Sequence, residues 1–211
     1  MNERGRVLSV NVGPIKNADD GRQRYTTAIG KHPIAGSAML ERERVVGDEI
    51  ADLKNHGGPD RALYAYAAED YAWWEGELGR PLAHGLFGEN LTLTGIDVNG
   101  AAIGERWRIG DAIVRVTSPR IPCFKLAHVV GEANFVKRFA AAHRPGAYLA
   151  IERVAAIGSG DEVEILSHPE KRLSLREFTK IYFEERERAA AFLDIPDMTD
   201  AWRAWALGAL E

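Results

Sequence analysis

The only thiol in the sequence, Cys123, lies in a short loop that also contains two prolines and two cations. Pro119 and Pro122 fix their own φ angles, so this loop is stiff. Arg120 and Lys125 place positive charge near the thiol, and cationic neighbours favour the thiolate, which attacks electrophiles and binds soft metals. The pattern indicates a nucleophile or a metal ligand, with a small buried hydrophobic residue as the alternative.

A second polar loop, residues 52–61, leads directly into an apolar run. Its paired glycines, Gly57 and Gly58, allow backbone amides to approach a ligand closely, and His56 and Arg61 could bind an anion. A tight turn explains the same residues without any ligand. The sequence leaves both interpretations open.

A third loop places a carboxylate and a carboxamide, Glu89 and Asn90, immediately before a predicted strand. An asparagine can bind a polar heterocycle through its donor and its acceptor, and a glutamate can accept hydrogen bonds from N–H groups. An Asx turn is the alternative explanation of this loop.

Several common functional sites do not occur in the sequence. It contains no G-x-G-x-x-G or Walker A loop, no H-E-x-x-H zinc motif and no G-x-S-x-G nucleophile elbow. The net charge of -4 argues against a broad face that binds nucleic acid or anionic membranes. A single cysteine excludes an internal disulfide and a C-x-x-C site. With no secretion signal and no apolar run that could span a bilayer, we expect a cytoplasmic protein.

The elements that must position these loops are mostly short β-strands. From residue 6 to about 166, the 211-residue chain is punctuated by glycine and shows runs of β-branched or alternating residues. This pattern predicts an antiparallel, mainly β domain with short helical inserts over 68–78 and 132–142. The predicted strands are 6–12, 36–40, 44–46, 62–66, 91–93, 106–109, 113–118, 148–154 and 162–166.

The character of the chain changes after residue 167. Ser174 and Glu177 form a capping-box pattern, which predicts the start of a helix. Apolar stripes then recur three times, the last with Trp202 and Trp205, and they predict three short helices that pack together. We therefore predict a β-domain over 1–167 and a three-helix domain over 168–211.

Five motifs, in order along the chain, resemble the MOSC domain, which is named for the C-terminal domain of molybdenum cofactor sulfurase. Together with the helical region over 173–210, they are similar to the bacterial YiiM-type branch of that family. The resemblance covers nearly the whole chain. The five motifs are residues 31–36, residues 46–48 with Asp52, residues 56–62, residues 87–91 and residues 119–123.

The resemblance implies a closed, mostly antiparallel β-barrel that binds the pyranopterin molybdenum cofactor, with Cys123 as the protein ligand to molybdenum. It implies an oxidoreductase that reduces N-hydroxylated compounds, including hydroxylamino purine analogues, with electrons from an external flavin or iron–sulfur reductase. His56 and Asp52 are the candidate proton donors of such a reaction. The residues that would bind the cofactor are Lys31, His56, Gly57, Gly58, Arg61, Glu89, Asn90, Arg120 and Cys123.

Two alternatives remain open at this point. The chain could be a non-enzymatic module that stores or delivers the cofactor, or that carries sulfur on Cys123 as a persulfide. It could also bind pyridoxal phosphate or another phosphate ligand through Lys31, an activity that is named at the level of the family. We expect a small-molecule substrate, a monomer or homodimer, and neither a nucleic-acid nor a membrane partner.

Overall fold

The computed structural model describes residues 4–21, 23–52 and 57–211. Within them, seven strands form a closed barrel, with smaller strand groups and helices outside it. This confirms the predicted mainly β fold with an added helical region. In chain order the strands are β1 (Arg4–Val12), β2 (Lys16–Asp19), β3 (Arg24–Thr27), β4 (His32–Pro33), β5 (Ser37–Glu41), β6 (Arg44–Val45), β7 (Leu63–Ala67), β8 (Leu91–Thr94), β9 (Arg106–Ile109), β10 (Ala112–Pro119), β11 (Ala147–Arg153), β12 (Ala156–Gly158) and β13 (Glu162–Ser167).

The barrel closes because β13 pairs with both β9 and β1. Around the barrel the strand order is β13, β9, β10, β11, β7, β8 and β1. Side chains alternate along the first half of β1, where Val7 is buried and its neighbours Arg6 and Leu8 are exposed. Such alternation directs one face of each strand into the barrel. Apolar residues that belong to the resulting core include Val7, Trp107, Val114, Leu149 and Val163.

One strand pair departs from the antiparallel pattern, since β7 and β8 are parallel. A parallel pair needs a crossover connection, and helix α1 (Ala68–Leu78) supplies it. This helix is predicted by the sequence, and it buries Tyr71 and Trp74. Trp74 Nε1 donates a 2.9 Å hydrogen bond to the hydroxyl oxygen of Tyr66 in β7. The aromatic residues of α1 therefore fix the helix against the barrel wall.

Some elements near the barrel are not predicted by the sequence, namely β2, β3, β4, β12 and helix α2 (Phe124–Val130). The hairpin formed by β2 and β3 is largely exposed, so it lacks the alternation that marks a half-buried strand. Helix α2 directly follows the proline-containing Cys123 loop, and prolines favour a loop prediction. The predicted helix over 132–142 is shorter in the structure, where α3 spans Phe135–Ala141.

Three helical segments follow β13, as the apolar stripes predict. The Oγ of Ser174 accepts a 3.1 Å hydrogen bond from the Glu177 N–H, which confirms the serine half of the predicted capping box, while the Glu177 carboxylate accepts from Arg188. Phe178 belongs to the same buried cluster as the barrel core, and the division into two domains at residue 167 stays a prediction. No helix in the described parts of the chain is both long and apolar enough to cross a bilayer. The segments are α4 (Leu175–Phe183), a 3₁₀ helix (Arg186–Phe192) and α5 (Asp200–Leu210).

Candidate functional site

A cleft lies where four loops of the barrel meet. The loops are those after β3, between β6 and β7, before β8 and after β10, and the side chain of Tyr148 from β11 completes the wall. The structure therefore brings together predicted site residues from distant parts of the sequence. Those that line the cleft are Lys31, Asp52, Arg61, Asn90, Arg120 and Cys123.

The loop after β10 carries the thiol and a fixed positive charge. Cys123 is half-buried and immediately precedes α2. Arg120 is only 6% exposed. Its guanidinium donates to the carbonyl oxygen of Phe87 and lies 5.1 Å from the centre of the Tyr64 ring. A backbone carbonyl and an aromatic face thus hold this guanidinium in place beside the cleft.

Lys31 is paired with a carboxylate at the floor of the cleft. Lys31 is 9% exposed and Asp48 is 5% exposed, and the Lys31 ammonium donates to Asp48 Oδ2. Asp48 also accepts 2.9 Å hydrogen bonds from the Gly13 N–H and from Asn90 Nδ2. The role predicted for Lys31, holding an anionic cofactor, stays a prediction, but Asp48 already balances its charge.

Asn90 joins three parts of the cleft floor through its side-chain amide. Its Oδ1 accepts a 3.1 Å hydrogen bond from the Tyr64 N–H, and its Nδ2 donates to the Asn11 carbonyl oxygen at 3.3 Å as well as to Asp48. These bonds connect β7 and β1 to the loop after β6. Because the amide is engaged on both ends, these bonds hold Asn90 in the cleft wall, and its predicted role in binding the cofactor stays a prediction.

Glu89 lies behind the cleft wall rather than in it, and it is fully buried. Its Oε1 accepts hydrogen bonds from the Tyr71 hydroxyl at 2.8 Å, from the Gly85 N–H at 2.5 Å and from the Thr92 hydroxyl at 3.0 Å. Among the described residues, nothing donates to its Oε2. Burial raises the pKa of the Glu89 carboxyl, and the three hydrogen bonds offset only part of this effect.

Ionisation of Glu89 is therefore expected to destabilise the folded chain. The pKa of Glu89 is higher in the folded chain than its usual value of 4.5, so the folded state binds this proton more tightly than the unfolded state. That stabilisation is present at low pH and is lost as the pH rises through the folded-state pKa. We expect the free energy of unfolding of the wild type to fall relative to Glu89→Gln between about pH 4 and pH 8.

Urea denaturation across this pH range measures the difference. The exposed substitution Glu187→Gln is the matched control, and its stability is expected to follow that of the wild type at every pH. A wild type that gains stability over Glu89→Gln as the pH rises would show that Glu89 is ionised in the fold.

The loop before β7 places its predicted site residues in different surroundings. Asp52 lines the cleft, and so does Arg61, whose guanidinium lies 5.8 Å from the centre of the Tyr148 ring. Gly58 has a φ of +94° and precedes a 3₁₀ turn that leads to Arg61; it faces a separate depression. Gly57 is not in the cleft wall, and His56 lies outside the described residues. The proposed binding roles of this loop stay predictions.

The side chains that line the cleft fit an anionic ligand that carries a soft metal. Cys123 offers sulfur, while Arg61, Arg120 and Lys125 offer positive charge. Across residues 4–21, 23–52 and 57–211, no group of three or more His, Cys, Asp or Glu side chains could hold a metal ion by itself. The dithiolene sulfurs of the pyranopterin molybdenum cofactor, which the family resemblance implies, would supply further soft ligands beside the sulfur of Cys123.

No pattern in the sequence assigns Asp48, Tyr64 or Tyr148 to the site. Asp48 follows Gly47, and that pair is locally a turn signal. Tyr64 and Tyr148 are directly opposite each other on β7 and β11, with ring centres 5.2 Å apart. The alternation of a strand predicts that such residues share a face, but it does not indicate which face meets a cleft.

The chain is similar to known proteins over most of its length. The family model described as MOSC domain matches residues 52–164. An uncharacterized protein of Bacillus subtilis, YflK, is 36% identical over 205 residues, which is 96% of this chain and 93% of that protein. A protein of Gibberella moniliformis named reductase is 31% identical over 175 residues, which is 81% of this chain but 31% of that longer protein. The crystal structure of YiiM from Geobacillus stearothermophilus has a TM-score of 0.81 and 28% identity, with 98% of this chain and 100% of that chain covered.

Proposed function

The chain belongs to the MOSC domain family, and on that premise we propose that its cleft binds the molybdenum cofactor through Cys123 and that the loaded protein reduces N-hydroxylated compounds. The observation that carries this proposal is that the only cysteine of the chain shares one cleft with Arg61 and Arg120. The MOSC family is associated with molybdenum cofactor binding. Similarity to a protein named reductase supports reduction as the reaction class.

Different side chains of the cleft would bind different parts of the cofactor. When bound, the cofactor supplies a two-electron reduction, in which R–NHOH, two electrons and two protons give R–NH2 and water. Cys123 would contribute the sulfur ligand of the protein. The cationic side chains of Arg61, Arg120 and Lys125 would balance the negative charge of the cofactor phosphate. The rings of Tyr64 and Tyr148 would line one wall and keep water away from the reacting atoms.

The electrons for this reaction would come from a separate flavin or iron–sulfur reductase, because the sequence contains no motif for either group. A reducing, cytoplasmic environment would keep the thiol of Cys123 available. The hydroxylamino purine analogues that the family resemblance implies are the first substrates to test.

The test is the ratio of molybdenum to protein, measured by mass spectrometry on protein from a host that makes the cofactor. We expect near-stoichiometric molybdenum in the wild type and at least about a tenfold loss in Cys123→Ser, because even residues that only support a metal ligand typically contribute 10–100-fold to affinity. Ser167→Ala, an exposed substitution at the end of β13, is the control. Circular dichroism checks that all three proteins are folded.

Turnover of a hydroxylamino purine with an artificial electron donor completes the test. Molybdenum that stays bound to Cys123→Ser would overturn the assignment of Cys123 as the ligand. Bound molybdenum in a wild type that reduces no N-hydroxylated compound would instead favour a non-enzymatic carrier of the cofactor.

A further inference from the structure

Lys31 combines two properties that are rarely found together, since it is about nine-tenths buried and yet lines the cleft. An ammonium group carries three N–H donors. Among the residues that the structure describes, Asp48 is the one acceptor for this ammonium. Two donors therefore remain for a molecule that enters the cleft.

The position of this ammonium is fixed by its neighbours. The Lys31 N–H donates a 2.9 Å hydrogen bond to the carbonyl oxygen of Gly85, which anchors the backbone. Asp48 is anchored in turn by hydrogen bonds from the Gly13 N–H and from Asn90 Nδ2, both at 2.9 Å. Since both members of the ion pair are held, the remaining N–H donors of Lys31 keep a defined direction. Such pre-organisation is what a proton donor needs.

We propose that Lys31 is the general acid of the reduction, and that it donates a proton to the oxygen that leaves the N-hydroxyl group as water. This inference rests on the proposed function and names a further catalytic residue for the same cleft. It gives Lys31 a role toward the substrate rather than toward the cofactor. It also gives Lys31 the task for which the sequence indicates His56 or Asp52.

The proton and electron balance closes with groups already named. The bound cofactor would supply the two electrons, which the external reductase provides, and the N–O bond of the substrate would break. Lys31 gives one proton to the departing oxygen and becomes a neutral amine, which still donates a hydrogen bond to Asp48. Solvent water supplies the second proton to the substrate nitrogen and then reprotonates Lys31.

The charges around Lys31 determine how readily it releases that proton. Burial lowers the pKa of Lys31 below its usual value of 10.5; Asp48 and the more distant Glu89 oppose this effect, and Arg120 adds to it. A general acid is most effective when its pKa lies near the working pH, so the direction of the shift suits this role. The other charged or titratable side chains of the cleft wall are Glu49, Asp52, Arg61, Tyr64, Cys123, Lys125 and Tyr148.

Lys31→Met and Lys31→Arg test the role by kinetics. A general acid typically contributes about 10²–10⁴-fold, so we expect kcat to fall by about that factor in both variants while the ratio of molybdenum to protein stays unchanged. In the wild type, kcat is expected to fall as the pH rises through the pKa of Lys31. This alkaline limb is expected to disappear in Lys31→Arg, because a guanidinium stays protonated. Lys137→Met, an exposed substitution in α3 away from the cleft lining, is the control and is expected to keep the limb.

A second measurement needs neither cofactor nor turnover. Nuclear magnetic resonance of the cofactor-free protein with ¹³C-labelled lysine reports the pKa of Lys31, and Lys31→Met identifies its signal. We expect a pKa below 10.5. Asp48→Asn is expected to lower it further, because that variant removes the carboxylate that raises it.

The outcomes separate this inference from the proposed function. A Lys31 pKa at or above 10.5, or a kcat within about twofold of wild type in Lys31→Met, overturns the role of Lys31 and leaves the proposed function intact. Loss of molybdenum from Lys31→Met also overturns it, because Lys31 then binds the cofactor. A molybdenum-loaded wild type without turnover overturns the proposed function and this inference together.

Discussion

Replacing Gly85 by alanine is expected to destabilise the chain by about 3–5 kcal/mol, a large part of the total stability of an ordinary domain. Gly85 has a φ of +88°, and a Cβ added there would lie 2.3 Å from the carbonyl oxygen of Lys31 and 2.7 Å from its carbonyl carbon. Both are backbone atoms, so no side-chain rotation can relieve the clash. The Lys31 N–H also donates to the Gly85 carbonyl oxygen at 2.9 Å, so separating the two segments would break that bond.

Gly47→Ala is the matched control for Gly85→Ala. Gly47 has a similar φ of +92°, but nothing lies within 4 Å of an added Cβ. We therefore expect the free energy of unfolding of Gly47→Ala to fall only by the strain of a left-handed backbone conformation, about 1–2 kcal/mol. Urea denaturation of both variants measures the difference, which is the cost of the clash. If Gly85→Ala is no less stable than Gly47→Ala, the close approach of the Gly85 and Lys31 backbones does not exist in solution.

Several strands of the barrel are predicted closely by the sequence. The predicted and observed bounds of β9 coincide, and those of β10 and β13 differ by one residue at each end or fewer. In these strands the burial on one face imposes a two-residue period that can be read directly. The hairpin of β2 and β3 packs outside the barrel and carries polar residues on both faces, so no such period exists.

The loops of the candidate site are also predicted, but their mutual arrangement is not. Cys123 and Arg120 stand out because a lone thiol and two prolines are local features. Lys31 and Asp48 are 17 residues apart in two different loops, and no local pattern records that they form a buried pair. Lys31 and Asp48 come together only when the barrel closes.

The orientation of adjacent loop residues is equally hard to predict. Glu89 and Asn90 follow each other in the segment before β8, yet Asn90 lines the cleft and Glu89 contacts the buried Tyr71 hydroxyl. Both residues lie directly before β8, Asn90 in a bend, where no period in the sequence indicates which side chain faces the cleft. Only the packing of α1 behind the barrel wall decides which one.

Asp48→Ala is expected to cost about 3–5 kcal/mol, because it leaves the nine-tenths buried ammonium of Lys31 without its counter-charge. The pKa of Lys31 lies below its usual value of 10.5 in the folded chain, and loss of the carboxylate that raises it lowers it further. A group whose folded-state pKa is lowered destabilises the fold as the pH falls through that pKa. The deficit of Asp48→Ala is therefore expected to shrink as the pH rises toward 10.5, which denaturation at several pH values measures.

A double-mutant cycle identifies the cause of this loss. If the unpaired ammonium is responsible, adding Lys31→Met to Asp48→Ala restores part of the stability, because no buried charge then remains without a partner. Asp194→Ala breaks an exposed pair whose carboxylate lies 3.8 Å from the Lys171 ammonium, and as a control it is expected to change stability by less than about 1 kcal/mol. A double variant no more stable than Asp48→Ala would trace the loss to the broken hydrogen bonds of Gly13 and Asn90, and the charge of Lys31 would then be tolerated without Asp48.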